Sequence, residues 1–429
     1  MIKQALLSAP WSYYYDTQPL SYGWAAWGAL ISLLWLCVMS LGPIRRLSHE
    51  TFYVLHMAAA FLFVLCMYAH GYMALNTWAY LHAAVVVLGL AVAHRFGVVA
   101  WNTRGFTRVW RAWVEETDDG ALLIKIPARG FTWSAGDHVY VRFLTVYAWQ
   151  THPFTITNLP DAHPDLASAQ SESELHFVLR PRTGLTARLA KHARIRPNLS
   201  FPVHIDGPYA ATSNVVTTLA GSDEVLFVAG GTGMSYILPL LSALAVQGGV
   251  SRREHRVQLV WAVPRKECVG WYRAEIDAAL AAVAAGNKLL HSVVDLSIAI
   301  YVSSAPAGHV EALQVLGDKA SHNSGEKEGE EEGEEEGEQE GAGAGAGAGA
   351  GDSLLGSVGR IEVVGGRPDV SRIVHDATAR ARGTVAVVGC GPSGLLCDAR
   401  NEVARAQLKI AKGAKEGAEE VVYIEEIFE

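Results

Sequence analysis

Three apolar stretches of about 20 residues or more, Tyr22–Leu41, Thr51–Tyr72 and Trp78–Trp101, occupy most of the first hundred positions. As a helix, each is long enough to cross the ~30 Å hydrocarbon core of a bilayer. Near the first two, the only strong charges are Arg45, Arg46 and Glu50. Buried helices of soluble proteins share this composition, but three in succession point to membrane helices, so residues 1–103 read as a transmembrane helical region. Arg45 and Arg46 lie between the first and second stretches. Arg95, Arg104, Arg108 and Arg111 lie at and after the end of the third, whereas 71–77 carries no charge. The positive-inside tendency therefore predicts a cytoplasmic location for 43–50 and for everything after about 101. Residues 1–20 lack the basic start and cleavage site of a leader and are expected outside.

The formal charge of −8 over 429 residues is local in origin. Residues 326–340 hold ten Glu and one Lys, which leaves the rest of the chain near neutral. Basic patches with interleaved aromatics are absent, so nucleic acid is not an expected partner. The five cysteines, without a CxxC pair, fit neither a disulfide scaffold nor a zinc site. Cys37 and Cys66 read as packing residues in the spans, and Cys397 as a core residue.

Residues 104–215 read as short strands with turn punctuation. Ala121–Pro127, His138–Phe143 and Leu175–Arg180 are β-rich, with breaks at Gly136-Asp137 and Asp206-Gly-Pro208, a pattern that suits a small antiparallel barrel. From 221 to 429, compact apolar runs at 225–229, 256–263 and 384–388 alternate with helical segments, which implies a parallel α/β sheet. From about 305 to 352 the chain is Gly, Glu, Ser and Ala, too polar to offset its ordering entropy, and is expected to be a disordered insertion.

Two histidines stand in the second span. His56 and His70 are 14 positions apart. On an α-helix that offset falls about 40° short of four turns and spans about 21 Å. Both imidazoles then face one way, one towards each side of the bilayer. Two haems stacked across a membrane need this spacing, each iron taking one imidazole; a hydrogen-bonded structural pair is the other reading. The first span has no histidine to oppose them. His82 and His94 do not share a face and read as interfacial.

Several short motifs carry further chemistry. His152-Pro-Phe-Thr155 combines a cation-capable ring, an aromatic and a hydroxyl, suited to a phosphate, an isoalloxazine face and a polar flavin atom. Gly184-Leu-Thr-Ala-Arg188 can open a helix whose N–H groups meet a pyrophosphate. Gly230-Gly-Thr-Gly233 follows an apolar strand and opens a helix, where glycines let a dinucleotide phosphate approach the backbone. Cys390-Gly-Pro-Ser-Gly394 repeats that context, with a thiol that could sit beside a nicotinamide ring. The terminal Tyr423–Glu429 run offers an aromatic to cover a flavin.

In this order His152-Pro-Phe-Thr155, Gly230-Gly-Thr-Gly233, Gly366-Arg-Pro368, Cys390-Gly-Pro392 and Phe428 resemble the ferric reductase and NADPH oxidase family of flavocytochromes. Ser48-His-Glu-Thr-Phe52 with His56 and His70 is most similar to the fungal metalloreductase branch. The resemblance implies transmembrane helices followed by a ferredoxin-reductase-like module: an antiparallel β-barrel for FAD, then an α/β domain for NADPH. It implies that His152, Pro153, Phe154 and Thr155 hold FAD with Thr186 near its pyrophosphate, and that Gly230, Gly231, Thr232 and Gly233 take the NADPH phosphates. Cys390, Gly391 and Pro392 would flank the nicotinamide, Phe428 would stack on the flavin, and His56 and His70 would ligate haem b.

Three departures stand out. The family's upstream helix with the first histidine pair has no counterpart, so the chain reads as N-terminally truncated, or as needing a partner that supplies those ligands. Ala210 replaces a usual Gly. Arg265, a candidate contact for a 2′-phosphate, comes one position late. The implied activity is electron transfer from cytosolic NADPH through FAD and haem to ferric or cupric ion across a membrane, the plasma membrane first among them. The alternatives are superoxide production from oxygen, a haem-less NADPH diaphorase and an inactive partner subunit.

Overall fold

The computed structural model describes residues 20–47, 49–71, 76–103, 105, 107–147, 150–160, 173–196, 199–210, 214–251, 255–290, 294–306, 310–312, 361–413 and 416–426. The chain divides into two compact units, Met1–Val98 and Val99–Glu429.

The first unit contains the helices Leu20–Met39, Gly42–Leu47 and His49–His70, and most of Thr77–Asn102. Two helices, Thr51–His70 and Thr77–Asn102, are long and apolar enough to cross a membrane. The expected first span is shorter: its apolar helical part is Gly23–Met39. The Ser40 hydroxyl bonds back to Leu36 O at 2.5 Å, and Gly42-Pro43 ends the run. The helices Leu20–Met39 and His49–His70 pack along each other. Ala25, Ala29 and Ser32 are buried, and a Cβ on Gly28 would lie 2.7 Å from Cys66 Sγ. These four small residues recur at i, i+3, i+4 and i+7, a stripe that lets two backbones approach closely. Large apolar side chains such as Trp24, Leu34, Phe61, Tyr80 and Leu90 are exposed, as lipid-facing residues would be.

The second unit begins with a nearly closed antiparallel barrel. Its strands are β1 (Trp110–Glu116), β2 (Leu122–Pro127), β3 (Asp137–Phe143), β4 (His152–Thr155), β5 (Glu174–Leu179) and β6 (Leu199–Ala210), in the order β4-β3-β6-β1-β2-β5. Burial alternates along β1 and β3, so Ala112, Val114, Val139, Val141 and Phe143 fill the interior. Leu185 and Leu189 of the helix Gly184–Ile195 join this core.

A seven-stranded sheet follows, ordered β10-β11-β9-β8-β7-β12-β13. Its members are β7 (Glu224–Gly230), β8 (His255–Val263), β9 (Val294–Val302), β10 (Val310–Ala312), β11 (Ile361–Gly365), β12 (Thr384–Cys390) and β13 (Glu420–Glu426). All pairings are parallel except β10 with β11. Buried on both faces, β7 and β12 are continuous apolar runs without alternation. The chain builds outward from β7 through β8, β9 and β11, then returns to the other side of β7 to lay down β12 and β13. The order therefore reverses between β7 and β12, the place where open α/β sheets bind ligands outside the strands' carboxyl ends.

One boundary differs from the sequence expectation. The expected disordered stretch of about 305–352 begins within structure, because Val310–Ala312 pair antiparallel with Glu362–Val364. The β-branched Val310 adds a short strand to what would otherwise be an open edge of β11. The rest of the stretch lies outside the described residues.

Candidate functional site

At the reversal point the two glycine motifs meet. β7 and β12 pair in register up to Cys390 opposite Ala229, so Gly230–Gly233 and Cys390–Pro392 leave the sheet side by side. A Cβ on Gly230 would lie 2.4 Å from Pro392 Cδ, one on Gly233 2.1 Å from Cys390 O, and one on Gly391 2.9 Å from Gly230 Cα. The two loops touch backbone to backbone only because these three residues are glycines. Gly231 differs from them: it adopts φ +56, and a Cβ there would meet open space. The loop's 3₁₀ turn, Gly231–Gly233, leads into the helix Met234–Ser251, and Pro392 precedes the helix Ser393–Ala411.

Cys390 is fully buried, and its thiol is pushed up, first by burial and then by the nearby Glu426 carboxylate. Glu426, which stands opposite Cys390 in the β12–β13 register, is itself raised by burial. Tyr236 is buried between this corner and the barrel, where a Cβ on Gly136 would come 2.9 Å from its ring. Burial raises its hydroxyl, with Glu426 and Cys390 adding to the effect. A buried thiol, a half-buried carboxyl with raised affinity for a proton and a buried phenol thus share one corner. Neither Glu426 nor Tyr236 is marked by the motifs; register and helix packing bring them there.

On the barrel, β4 is the edge strand carrying His152–Thr155. The His152 and Phe154 rings stack at 6.4 Å with 15° between planes, and Phe154 continues inward against Phe177. Phe154 belongs to the barrel core. Thr155 is buried and Pro153 exposed. They lie opposite His138 and Tyr140, and the rings of His138, Tyr140 and Tyr209 cluster at 5.7–5.9 Å. The Tyr209 hydroxyl donates to Asp206 at 2.6 Å, and burial holds the His138 imidazole below its usual range. This aromatic, hydrogen-bonding barrel face is chemically suited to a flavin ring.

Thr186 lies in the first turn of the helix Gly184–Ile195, where its hydroxyl donates to Thr183 O and accepts from the Arg182 N–H. Thr183 makes no side-chain cap bond, so the helix N-terminus keeps N–H groups for an anion. The Arg188 guanidinium covers the Tyr147 ring at 4.3 Å. Arg265 pairs with Asp119 of the β1–β2 turn. Gly366, at φ +100, turns the chain after β11, and Asp369 caps the next helix through the Arg372 N–H. Cys397, expected in the core, is exposed, because its side of the helix Ser393–Ala411 faces solvent; Cys37 is exposed as well. Phe428 lies outside the described residues.

His56 and His70 stand on one unbroken helix, His49–His70, so the spacing argument applies without a kink. His56 packs on Phe52 with ring centroids 5.1 Å apart, and its Nδ1 is buried with no hydrogen-bond partner among the described residues. No group of three or more His, Cys, Asp or Glu that could hold a bare metal ion occurs among the described residues. A haem iron, with four ligands from its macrocycle, fits the single imidazoles; the helix Leu20–Met39 supplies no second one. His82 meets the Tyr68 and Trp78 rings at 5.4 and 6.2 Å.

An antiparallel barrel, a parallel sheet with paired glycine loops at its reversal point, and apolar helices ahead of both define a ferredoxin-reductase-like flavin–nicotinamide module behind a membrane segment. Three family models match in the same order. They are a ferric reductase-like transmembrane component at 3–67, an FAD-binding domain at 111–213 and a ferric reductase NAD-binding domain at 222–404. The chain belongs to the ferric reductase family.

Its relatives include a probable cell surface ferric reductase of Aspergillus oryzae, 28% identical over 61% of this chain and 35% of that one. Ferric reductase transmembrane component 4 of Saccharomyces cerevisiae is 28% identical over 87% of this chain and 48% of that one. Ferric/cupric reductase transmembrane component 2 of Schizosaccharomyces pombe is 26% identical over 51% and 44%. The chain thus spans about a third to a half of the length of these relatives. Among solved structures, a flavohemoglobin of Malassezia yamatoensis is similar at TM-score 0.41 and 14% identity, over 93% of this chain and 78% of that one.

Proposed function

We propose that this chain is the electron-entry part of a membrane metalloreductase, taking electrons from NADPH on the cytoplasmic side and delivering them to ferric or cupric ion on the other. The observation that carries the reading is the junction of Gly230–Gly233 with Cys390–Pro392 at the sheet reversal, in a chain whose preceding helix holds His56 and His70 on one face. When bound, FAD supplies hydride acceptance and one-electron release, and haem b supplies electron relay.

The protein's own residues bind, orient and exclude water. Gly231, Thr232 and Gly233 present backbone to the NADPH phosphates, while Gly230 and Gly391 let the second loop close against the first. Cys390, Gly391 and Pro392 form the wall for the nicotinamide; burial keeps the Cys390 thiol protonated and uncharged beside it. His152, Pro153, Phe154 and Thr155, with the Tyr140–Tyr209 face and the helix start at Thr186, hold FAD, and Phe428 covers the flavin. His56 and His70 would each offer one imidazole to a haem, with any further ligand supplied from a helix other than Leu20–Met39, in this protein or a partner. The plasma membrane is the proposed location.

The absence of histidine from Leu20–Met39 also favours a second reading, a membrane-anchored NADPH diaphorase without haem. A reduced-minus-oxidised spectrum of the purified protein separates the two. Haem bands lost in His56→Ala and His70→Ala are expected; flavin absorbance alone would support the diaphorase. Ferrous-chelator and superoxide assays on membranes then distinguish metal from oxygen as acceptor.

A further inference from the structure

Two buried aromatic side chains hold the glycine loop from behind. Trp261 Nε1 donates to Gly231 O at 3.0 Å, and Tyr272 Oη donates to Thr232 O at 3.1 Å. Since Tyr272 has one hydroxyl hydrogen, the Ser235 hydroxyl, 2.8 Å away, is the donor in their mutual bond and fixes the direction of the next. Both aromatic residues are fully buried, and their rings meet edge to face at 5.7 Å and 80°. They come from different places in the chain: Trp261 from β8, Tyr272 from the end of the 3₁₀ segment Lys266–Tyr272.

A planar trans peptide points its N–H opposite its C=O. Fixing the Gly231 and Thr232 carbonyls on the Trp261–Tyr272 side therefore turns the N–H groups of Thr232 and Gly233 away from it. We propose that Trp261 and Tyr272 are positioning residues for the phosphate loop: by these two hydrogen bonds they present its N–H groups to the pyrophosphate of NADPH, and so set nucleotide affinity without touching the nucleotide. This rests on the reading of Gly230–Gly233 as the NADPH phosphate loop.

The test uses the full chain in detergent, with NADPH oxidation followed against ferricyanide. Tyr272→Phe keeps the ring and removes only the donor, whereas Trp261→Phe keeps an aromatic ring but removes both the donor and part of the buried indole. KM for NADPH is expected to rise about three- to thirtyfold, the range for freeing a carbonyl that anchors a ligand-binding backbone. Over the same series kcat stays within about twofold, bound FAD is unchanged and the NADPH-to-NADH preference is preserved, because the pyrophosphate is common to both nucleotides. An unchanged KM in both variants overturns the proposal, as does a fall in kcat with KM unchanged or loss of FAD from both. If only Trp261→Phe loses FAD, Tyr272→Phe decides. Gly231→Val separates the proposal from its premise. If that variant also leaves KM unchanged, the loop reading fails; if it raises KM while the two Phe variants do not, only the positioning role fails.

Discussion

Gly233 follows β7 and Gly394 follows its paired neighbour β12, yet a methyl group added to each has opposite consequences. At Gly233 it would lie 2.1 Å from Cys390 O and 2.6 Å from its carbonyl carbon, atoms of a strand end that can yield only by opening the β7–β12 junction. Gly233→Ala is expected to cost about 1–3 kcal/mol in thermal or denaturant unfolding and to lower NADPH oxidation at subsaturating nucleotide. At Gly394, in the first turn of its helix, the methyl meets nothing. Gly394→Ala is expected to be neutral or stabilising by up to about 1 kcal/mol. Glu426 makes a pH prediction beside them. Burial raises its native pKa above the unfolded carboxylate value, so the unfolded state releases its proton first as pH rises. That contribution to stability is complete below the ordinary carboxylate pKa and is lost between there and the raised native pKa. Glu425 runs the other way: burial pushes it up, but the Arg400 and Tyr423 hydrogen bonds outweigh burial and hold it down. Glu426→Gln should therefore flatten the fall of melting temperature from acidic towards neutral pH; an unchanged slope would place that titration elsewhere. The motifs make Cys390 and the glycines legible in the sequence. Glu426 is not legible that way, because its place beside Cys390 depends on a strand register between segments some thirty positions apart, and one strand's pattern does not encode its partner.

Secondary-structure elements were legible wherever their period is strong. The continuous apolar runs of β7, β8 and β12 announce a parallel sheet buried on both faces, and the helices of the first unit follow from apolar length alone. Which face of an apolar helix packs is harder to read, because hydropathy is nearly uniform around it. In Leu20–Met39 the packing face is marked by size instead: Ala25, Gly28, Ala29 and Ser32 against His49–His70. Gly28→Leu would drive a branched side chain into Cys66, whose Sγ already lies 2.7 Å from the position of a Cβ. The helix pair is expected to lose about 1–3 kcal/mol, read as a lower unfolding temperature in detergent. On the exposed side of the same helix, Leu34→Ile is expected to be silent. β4 shows the opposite limit. Its alternation puts His152 and Phe154 on one face, but only the packing of Phe154 against Phe177 reveals that this face turns into the barrel.

Across the second unit, barrel and α/β sheet are held together by contacts that no single motif predicts. Asp119 of the β1–β2 turn takes both Arg265 and the Cys268 thiol, His176 of β5 meets Glu275 at 3.0 Å, and Ala121 and Val178 of the barrel join the apolar core around β7–β9. None of these contacts involves β10, which among the described residues pairs with β11 at the far edge of the sheet. The acidic, glycine-rich stretch joins these two strands, so both of its anchor points stand at the sheet edge far from β7 and β12. Its ends are already adjacent: the chain leaves at Ala312, directly opposite Glu362, and antiparallel partners stand about 5 Å apart. A short Asn-Gly turn can bridge that gap. Shortening the connection from roughly 50 residues to about five reduces loop-closure entropy by about 2 kcal/mol, and the composition of the removed segment offers little apolar surface to be lost. Replacing 314–360 by such a turn is thus expected to leave bound FAD and the KM for NADPH unchanged while unfolding temperature holds or rises by a few degrees. A fall in FAD content or a raised KM would show that the stretch contacts the site, and the sheet edge would then need to be read as part of the nucleotide-binding surface.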